Sequence, residues 1–91
     1  MVTVVKRRGK IEPFDKEKIY NSIYSTCQHC DLSEDESAKI AEKVSSDVEI
    51  FFKDRDQINS TEIFGFIIQK LAKEHEAVAF MYQTHREIHD V

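Results

Sequence analysis

The stretch from Val4 to Lys18, V-V-K-R-R-G-K-I-E-P-F-D-K-E-K, constrains this chain more than any other, because it sets a short basic strand pair directly before a helix start. Val2, Val4 and Lys6 alternate with Thr3, Val5 and Arg7, Arg8-Gly9 supplies a tight turn, and Lys10-Ile11-Glu12 returns as a second strand. Pro13 has no N–H to give a ladder and closes that strand, while Asp15 is a good N-cap for a helix beginning at Lys16. Phe14, just before the cap, and Ile19, at the fourth helical position, form a hydrophobic staple. The hairpin is thereby tied to the first helix.

Helical spacing carries the rest of the chain. The first helix runs from Lys16 to about Gln28, with Ile19, Ile23, Cys27 and Cys30 on one stripe and Tyr20 and Tyr24 on a second, semi-polar one. Ser33-Glu34-Asp35-Glu36 is a capping box that opens a second helix, whose apolar positions Ile40, Ala41, Val44, Val48, Phe51 and Phe52 keep the period until Asp54-Arg55-Asp56 ends it. Asn59 or Ser60 caps a third helix carrying Ile63, Phe64, Ile67, Ile68 and Leu71. Gly65 inside it costs about 1 kcal/mol relative to alanine, which a close approach by another backbone would explain. A fourth helix spans Ala77 to about Ile88, although Lys73-Glu74-His75-Glu76 has neither Gly nor Pro to force the break before it. The expected architecture is α+β: an N-terminal β-hairpin lid on a four-helix bundle, residues 1–91 forming a single domain.

Ninety-one residues, 41% of them hydrophobic and a third charged, have room for one core and the composition of a globular domain. The net charge of −4 conceals an asymmetry: residues 1–18 hold six Lys/Arg against three Asp/Glu, and the remainder holds seven against fourteen. An acidic chain argues against non-specific nucleic-acid binding, which needs a broad basic surface. No apolar run reaches the roughly 18 residues of a membrane span, and the N-terminus lacks a signal-peptide core. With two cysteines in a helix end and no disulfide framework, the expected compartment is cytoplasmic.

Lys16 and Lys18 stand in the first turn of a helix, where the macrodipole favours anions. Lys6, Arg7 and Lys18, gathered near that helix start, make a site for a polyphosphate, held by side-chain cations with or without free N–H groups of the first turn. The alternative is a solvated basic face. With only Gly9 and Gly65 in the chain, neither common Gly-rich phosphate loop can be written, so any such ligand is held mainly by side chains.

The run Val5-Lys6-Arg7, Gly9, Glu12-Pro13-Phe14-Asp15 and Lys18-Ile19 resembles the opening motif of the ATP-cone domain, the small allosteric module of many ribonucleotide reductases and of the repressor of their genes. The resemblance continues through Ser60-Thr61-Glu62-Ile63 to Ala77-Val78-Ala79 and Arg86, nearly the whole chain. It implies ATP or dATP as ligand, with or without magnesium. It also implies that Lys6, Arg7 and Lys18 contact the triphosphate, that Glu12 and Asp15 lie near the base, that Ser60 brings a hydroxyl, and that Arg86 reaches the phosphates. Asp15 and Ser60 also have a sufficient role as helix-start residues. Phe64 and His85 depart from the reductase pattern, which places a histidine and a tyrosine there, and the choice between ATP and dATP stays open.

Cys27-Gln28-His29-Cys30 with His85-x-x-x-His89 has the outline of a zinc site, but both cysteines fall on the apolar stripe, where buried thiols acting as small hydrophobes are the simpler reading. No catalytic constellation stands out, and the expectation is a protein that is not an enzyme. The leading function is therefore a nucleotide-sensing module that signals through a helix face, as a homo-oligomer or to a reductase or transcription regulator. A DNA-binding regulator and a helical protein-interaction module are the alternatives.

Overall fold

The structure, a computed structural model, describes residues 2–85. In chain order the elements are β1 (Thr3–Val5), β2 (Ile11–Pro13), α1 (Lys16–His29), α2 (Glu34–Phe52), β3 (Gln57–Asn59), α3 (Ser60–Glu74) and α4 (Glu76–Thr84). The α+β class read from the sequence holds, and its hairpin acquires a third strand. β1 lies in the middle of the sheet, antiparallel to β2 with Val4 opposite Glu12, and parallel to β3 with Val4 opposite Ile58. Val4 and Ile58 are both buried, and burying an aliphatic side chain of this size contributes about 1.5–3 kcal/mol. The sheet is thus a wall of the core as well as a lid.

The turn is longer than the expected Arg8-Gly9 pair. Lys6 N–H donates to the Lys10 carbonyl at 2.8 Å and Gly9 N–H to the Lys6 carbonyl at 2.9 Å, leaving Arg7, Arg8 and Gly9 as a three-residue loop. Gly9 takes φ 83°, the left-handed position that such loops need at their third residue.

The starts of α1, α2 and α3 match their local chemistry. Asp15 Oδ1 accepts from the N–H of Glu17 at 3.0 Å and of Lys18 at 3.4 Å. Ser33 Oγ accepts from Glu36 N–H at 3.1 Å. The Glu62 carboxylate accepts from Asn59 N–H at 3.0 Å and takes both guanidinium nitrogens of Arg55 at 3.2 Å. The end of α1 is a Schellman motif: Asp31, at φ 62°, and Leu32 give their N–H groups to the carbonyls of Gln28 and Cys27. His75 separates α3 from α4 in extended backbone (φ −165°, ψ 109°), so a break forms with no Gly or Pro. The fourth helix starts one residue before the expected Ala77 and is described to Thr84. Its expected end at Ile88 lies outside the described residues, as do Arg86 and His89.

The core joins all four helices and the sheet: Ile19, Ile23 and Cys27 from α1; Ala41, Val44, Val48 and Phe52 from α2; Ile63, Ile67 and Leu71 from α3; Val78, Ala79 and Tyr82 from α4; Val4 and Ile58 from the strands. The Tyr82 hydroxyl is 2.9 Å from Ser22 Oγ, which also donates to the Ile19 carbonyl at 2.8 Å. Burial pushes the Tyr82 phenol up to about 12, keeping it a neutral partner. Cys27 is fully buried, and burial raises its thiol to about 11. That makes it a packing residue.

Gly65 departs from expectation. A Cβ built there meets nothing within 4 Å, so no close backbone approach explains the glycine. Gly65→Ala is expected to stabilise the fold by about 0.5–1 kcal/mol through helix propensity, read as a higher urea midpoint at unchanged slope.

The Glu62 cap carries a pH dependence. Its carboxyl is held below the usual range, first by the Asn59 N–H and then by Arg55, so the folded state binds this proton more weakly than the unfolded chain does. Its contribution is complete above the unfolded value near 4.5 and is lost as pH falls through the lower folded value. Denaturant midpoints taken from pH 6 down to 3 should fall less steeply in Glu62→Gln than in the wild type.

Candidate nucleotide-binding crevice

The basic strand pair and the start of α1 face each other across a narrow crevice. Lys6 and Glu12 come from the two arms of the hairpin, Asp15 from the cap and Lys18 from the first turn of α1. Val4, Ile19 and Ile63 give it an apolar floor, and Pro13 and Phe14 a wall. Its volume of about 20 Å³ has room for about one water molecule. Any larger ligand reaching the floor must part the hairpin from α1.

Electrostatics in the crevice centre on Glu12. Its two carboxylate oxygens take one lysine each: Lys10 Nζ at 3.2 Å and Lys18 Nζ at 3.3 Å. Those two hydrogen bonds, Lys10 first and Lys18 second, hold the Glu12 carboxyl below its usual range against the opposing effect of burial. The negative partner that a lysine in the first turn of a helix calls for is therefore Glu12 in the case of Lys18. For Lys16 it is Glu42 of α2, at 3.2 Å. Lys10 belongs to this charge cluster although sequence reasoning had passed over it. Its alternation with Glu12 on one strand face was the available signal.

The N–H groups of the first turn of α1 are less open to a ligand than the sequence implied, because Asp15 already accepts two of them. Anion binding at this helix start falls to the ammonium groups. Arg7 is exposed in the turn beside Lys6 and does not line the crevice. Ser60 is buried at the start of α3, one turn before Ile63 of the crevice floor. In the parallel pairing Val5 stands opposite Asn59, so Lys6 and Ser60 leave the sheet together at one end. The sheet thus brings two sites 54 positions apart in sequence to a common edge. Arg86 lies outside the described residues.

The two residues at which this chain departs from the reductase pattern have structural partners. Phe64 packs its ring 5.6 Å from that of Tyr82, and the His85 ring Nδ1 lies 3.0 Å from the Met81 carbonyl. Among the described residues no group of three or more His, Cys, Asp and Glu is placed to hold a metal ion. His29 Nδ1 lies 2.8 Å from the Ser25 carbonyl of its own helix. No helix among the described residues is long and apolar enough to cross a membrane.

Known proteins share this sequence pattern. The chain is 35% identical over 75 residues to the transcriptional repressor NrdR of Caldicellulosiruptor saccharolyticus, covering 82% of this chain and 48% of the relative. It is 35% identical over 95 residues to the NrdR repressor of Syntrophus aciditrophicus, covering 97% and 57%. The repressor of the same name from Corynebacterium diphtheriae is 35% identical over 78 residues, covering 86% and 50%. The chain spans about half the length of these relatives. The ATP cone domain family model matches residues 2–91, from the first strand through the last residue, and the chain therefore belongs to the ATP-cone domain family.

Proposed function

We propose that this chain is a regulatory module that binds ATP or dATP between its basic hairpin and the start of α1 and is not itself an enzyme. The observation that carries the reading is the convergence of Lys6, Lys10, Glu12, Asp15 and Lys18 at one seam of the fold. Cations on a strand pair and on the first turn of a helix reach a triphosphate from two sides, and membership of the ATP-cone family supports the adenine nucleotide as the ligand. Arg7 and Ser60, at the same edge of the sheet, extend the site, and Arg86 is a further cation of the proposed set. Magnesium, when it accompanies the nucleotide, would sit on the phosphates, its usual place in nucleotide sites.

The relatives are named transcriptional repressors, which supports an output on gene expression over direct action on a reductase. This domain carries a net charge of −4, so we assign it the sensing step and leave the phosphate contacts of DNA binding to another part of such a repressor. A sensor transmits its state through an interface. Tyr20 and Tyr24, the semi-polar stripe of α1, are half-buried against the core, with their rings stacked 6.1 Å apart, and offer little free surface for one. Better suited is Phe51, 64% exposed, which stacks at 4.6 Å on Phe66 of α3, with Lys70 Nζ 5.3 Å from the centre of the Phe66 ring.

Calorimetry with ATP and dATP in the presence of magnesium tests the site. Charge-assisted contacts to phosphate contribute about 1.5–3 kcal/mol each, so Lys18→Ala should weaken binding by one to two decades and Lys18→Glu should abolish it. Lys18 is exposed, and a carboxylate in the first turn suits the macrodipole, so Lys18→Glu should melt within a few degrees of the wild type. Absence of wild-type binding at millimolar nucleotide, or unfolding of Lys18→Glu, would overturn the proposal.

Sedimentation tests the output. Saturating nucleotide should shift the mass distribution of the domain, and Phe51→Asp should remove the shift while leaving nucleotide affinity within twofold. Identical distributions with and without nucleotide would exclude self-association as the signal.

A further inference from the structure

Glu12, which lines the crevice, holds two ammonium groups from within the chain. One carboxylate oxygen is 3.2 Å from Lys10 Nζ and the other 3.3 Å from Lys18 Nζ, the spacing at which a phosphate would take the same two donors. The carboxylate is anchored on β2, directly opposite the buried Val4 of β1, and its side chain is 22% exposed. Lys18 is on the other side of the seam, on α1. The Glu12–Lys18 pair therefore bridges hairpin to helix across a crevice of only about 20 Å³.

We propose that Glu12 is an internal competitor for the phosphate site: its carboxylate clamps the hairpin against α1, and a polyanion must displace it from Lys18 and Lys10 to bind. The inference rests on the nucleotide-site reading above and adds a determinant of affinity to it. Ligand binding exchanges two carboxylate–ammonium pairs for phosphate–ammonium pairs, so the affinity measured is the intrinsic one reduced by the stability of the clamp. Only a ligand with charge enough to replace both pairs gains from the exchange. The same displacement frees the seam to open, so ligand charge is converted into movement of β2 relative to α1. The low pKa of Glu12 agrees with a carboxylate that stays ionised and competitive throughout the neutral range.

Inorganic tripolyphosphate is the probe, because it carries the phosphate charge without base or sugar. Titrated by calorimetry at fixed ionic strength, Glu12→Gln should bind it about three- to tenfold more tightly than the wild type, the gain expected from releasing two partly exposed ion pairs. Two further variants separate competition from bulk charge. Glu12→Asp keeps the charge but is one methylene too short to reach both lysines, and it should also bind more tightly than the wild type. Glu17→Gln removes a carboxylate from the same first turn of α1 and should change affinity by less than twofold. Equal or weaker binding by Glu12→Gln, or an equal gain in Glu17→Gln, would overturn the internal-competitor role while leaving the nucleotide site standing. Failure of both ATP and tripolyphosphate to bind wild type and Glu12→Gln alike would instead remove the nucleotide site, and the competitor with it.

Discussion

The parallel pairing of β1 with β3 is the interaction on which the rest of this structure depends. An isolated two-stranded hairpin is at best marginally stable in water, and this one has only three residues in each strand. Pairing with Gln57–Asn59 places β1 between two partners and sets Val4 against Ile58 in the core. It also fixes where α3 begins, because Asn59 is both the last strand residue and the cap of that helix. One short strand therefore positions the hairpin, the crevice floor at Ile63 and the Ser60 edge together.

Much of this was legible in the chain because the relevant signals are local. Asp15 with Phe14 and Ile19, Ser33 with Glu36, and the pair Asn59-Ser60 mark helix starts by side-chain chemistry acting within four residues, and the structure has all three helices there, with Asn59 the cap of the third. β3 was not legible. Gln57-Ile58-Asn59 is too short to show alternation, and it becomes a strand only because β1, more than fifty positions earlier, presents an open edge to it. The break at His75 was hidden for a related reason. Its extended backbone follows from how α4 packs across α3 and α1, and no residue there is a helix breaker.

The candidate site divides along the same line. The gathering of Lys6, Glu12, Asp15 and Lys18 follows from hairpin and helix start, both local, and it was readable from the motif. Their pairing was not. The partner of Lys18 lies six positions back on another element, and it is the fold that brings them to 3.3 Å. Likewise, an aspartate in front of a helix reads simultaneously as a cap and as a ligand residue. The distances from Asp15 to Glu17 and Lys18 N–H show that the cap role is filled.

The location of the crevice also gives the site a route to the rest of the molecule. Its floor residues Ile19 and Ile63 lie on different helices, and each is one step from Tyr82 of α4. The Ile19 carbonyl holds the Ser22 hydroxyl that meets the Tyr82 hydroxyl, and Phe64, next to Ile63, packs on the Tyr82 ring. Tyr82 is fully buried, so it cannot adjust to one helix without disturbing its contacts to the other. Contiguous packing transmits a signal only where some element has two discrete arrangements. Under the proposed competition at Glu12, the seam between hairpin and α1 would be such an element, its Glu12–Lys18 bridge either formed or replaced by a ligand's phosphate. An opened seam would release the hairpin side of Ile19 and Ile63 at once, and the contacts of the buried tyrosine join both helices to α4. The floor residues of the crevice, Val4, Ile19 and Ile63, also belong to the core, so the site and the helices share one set of contacts.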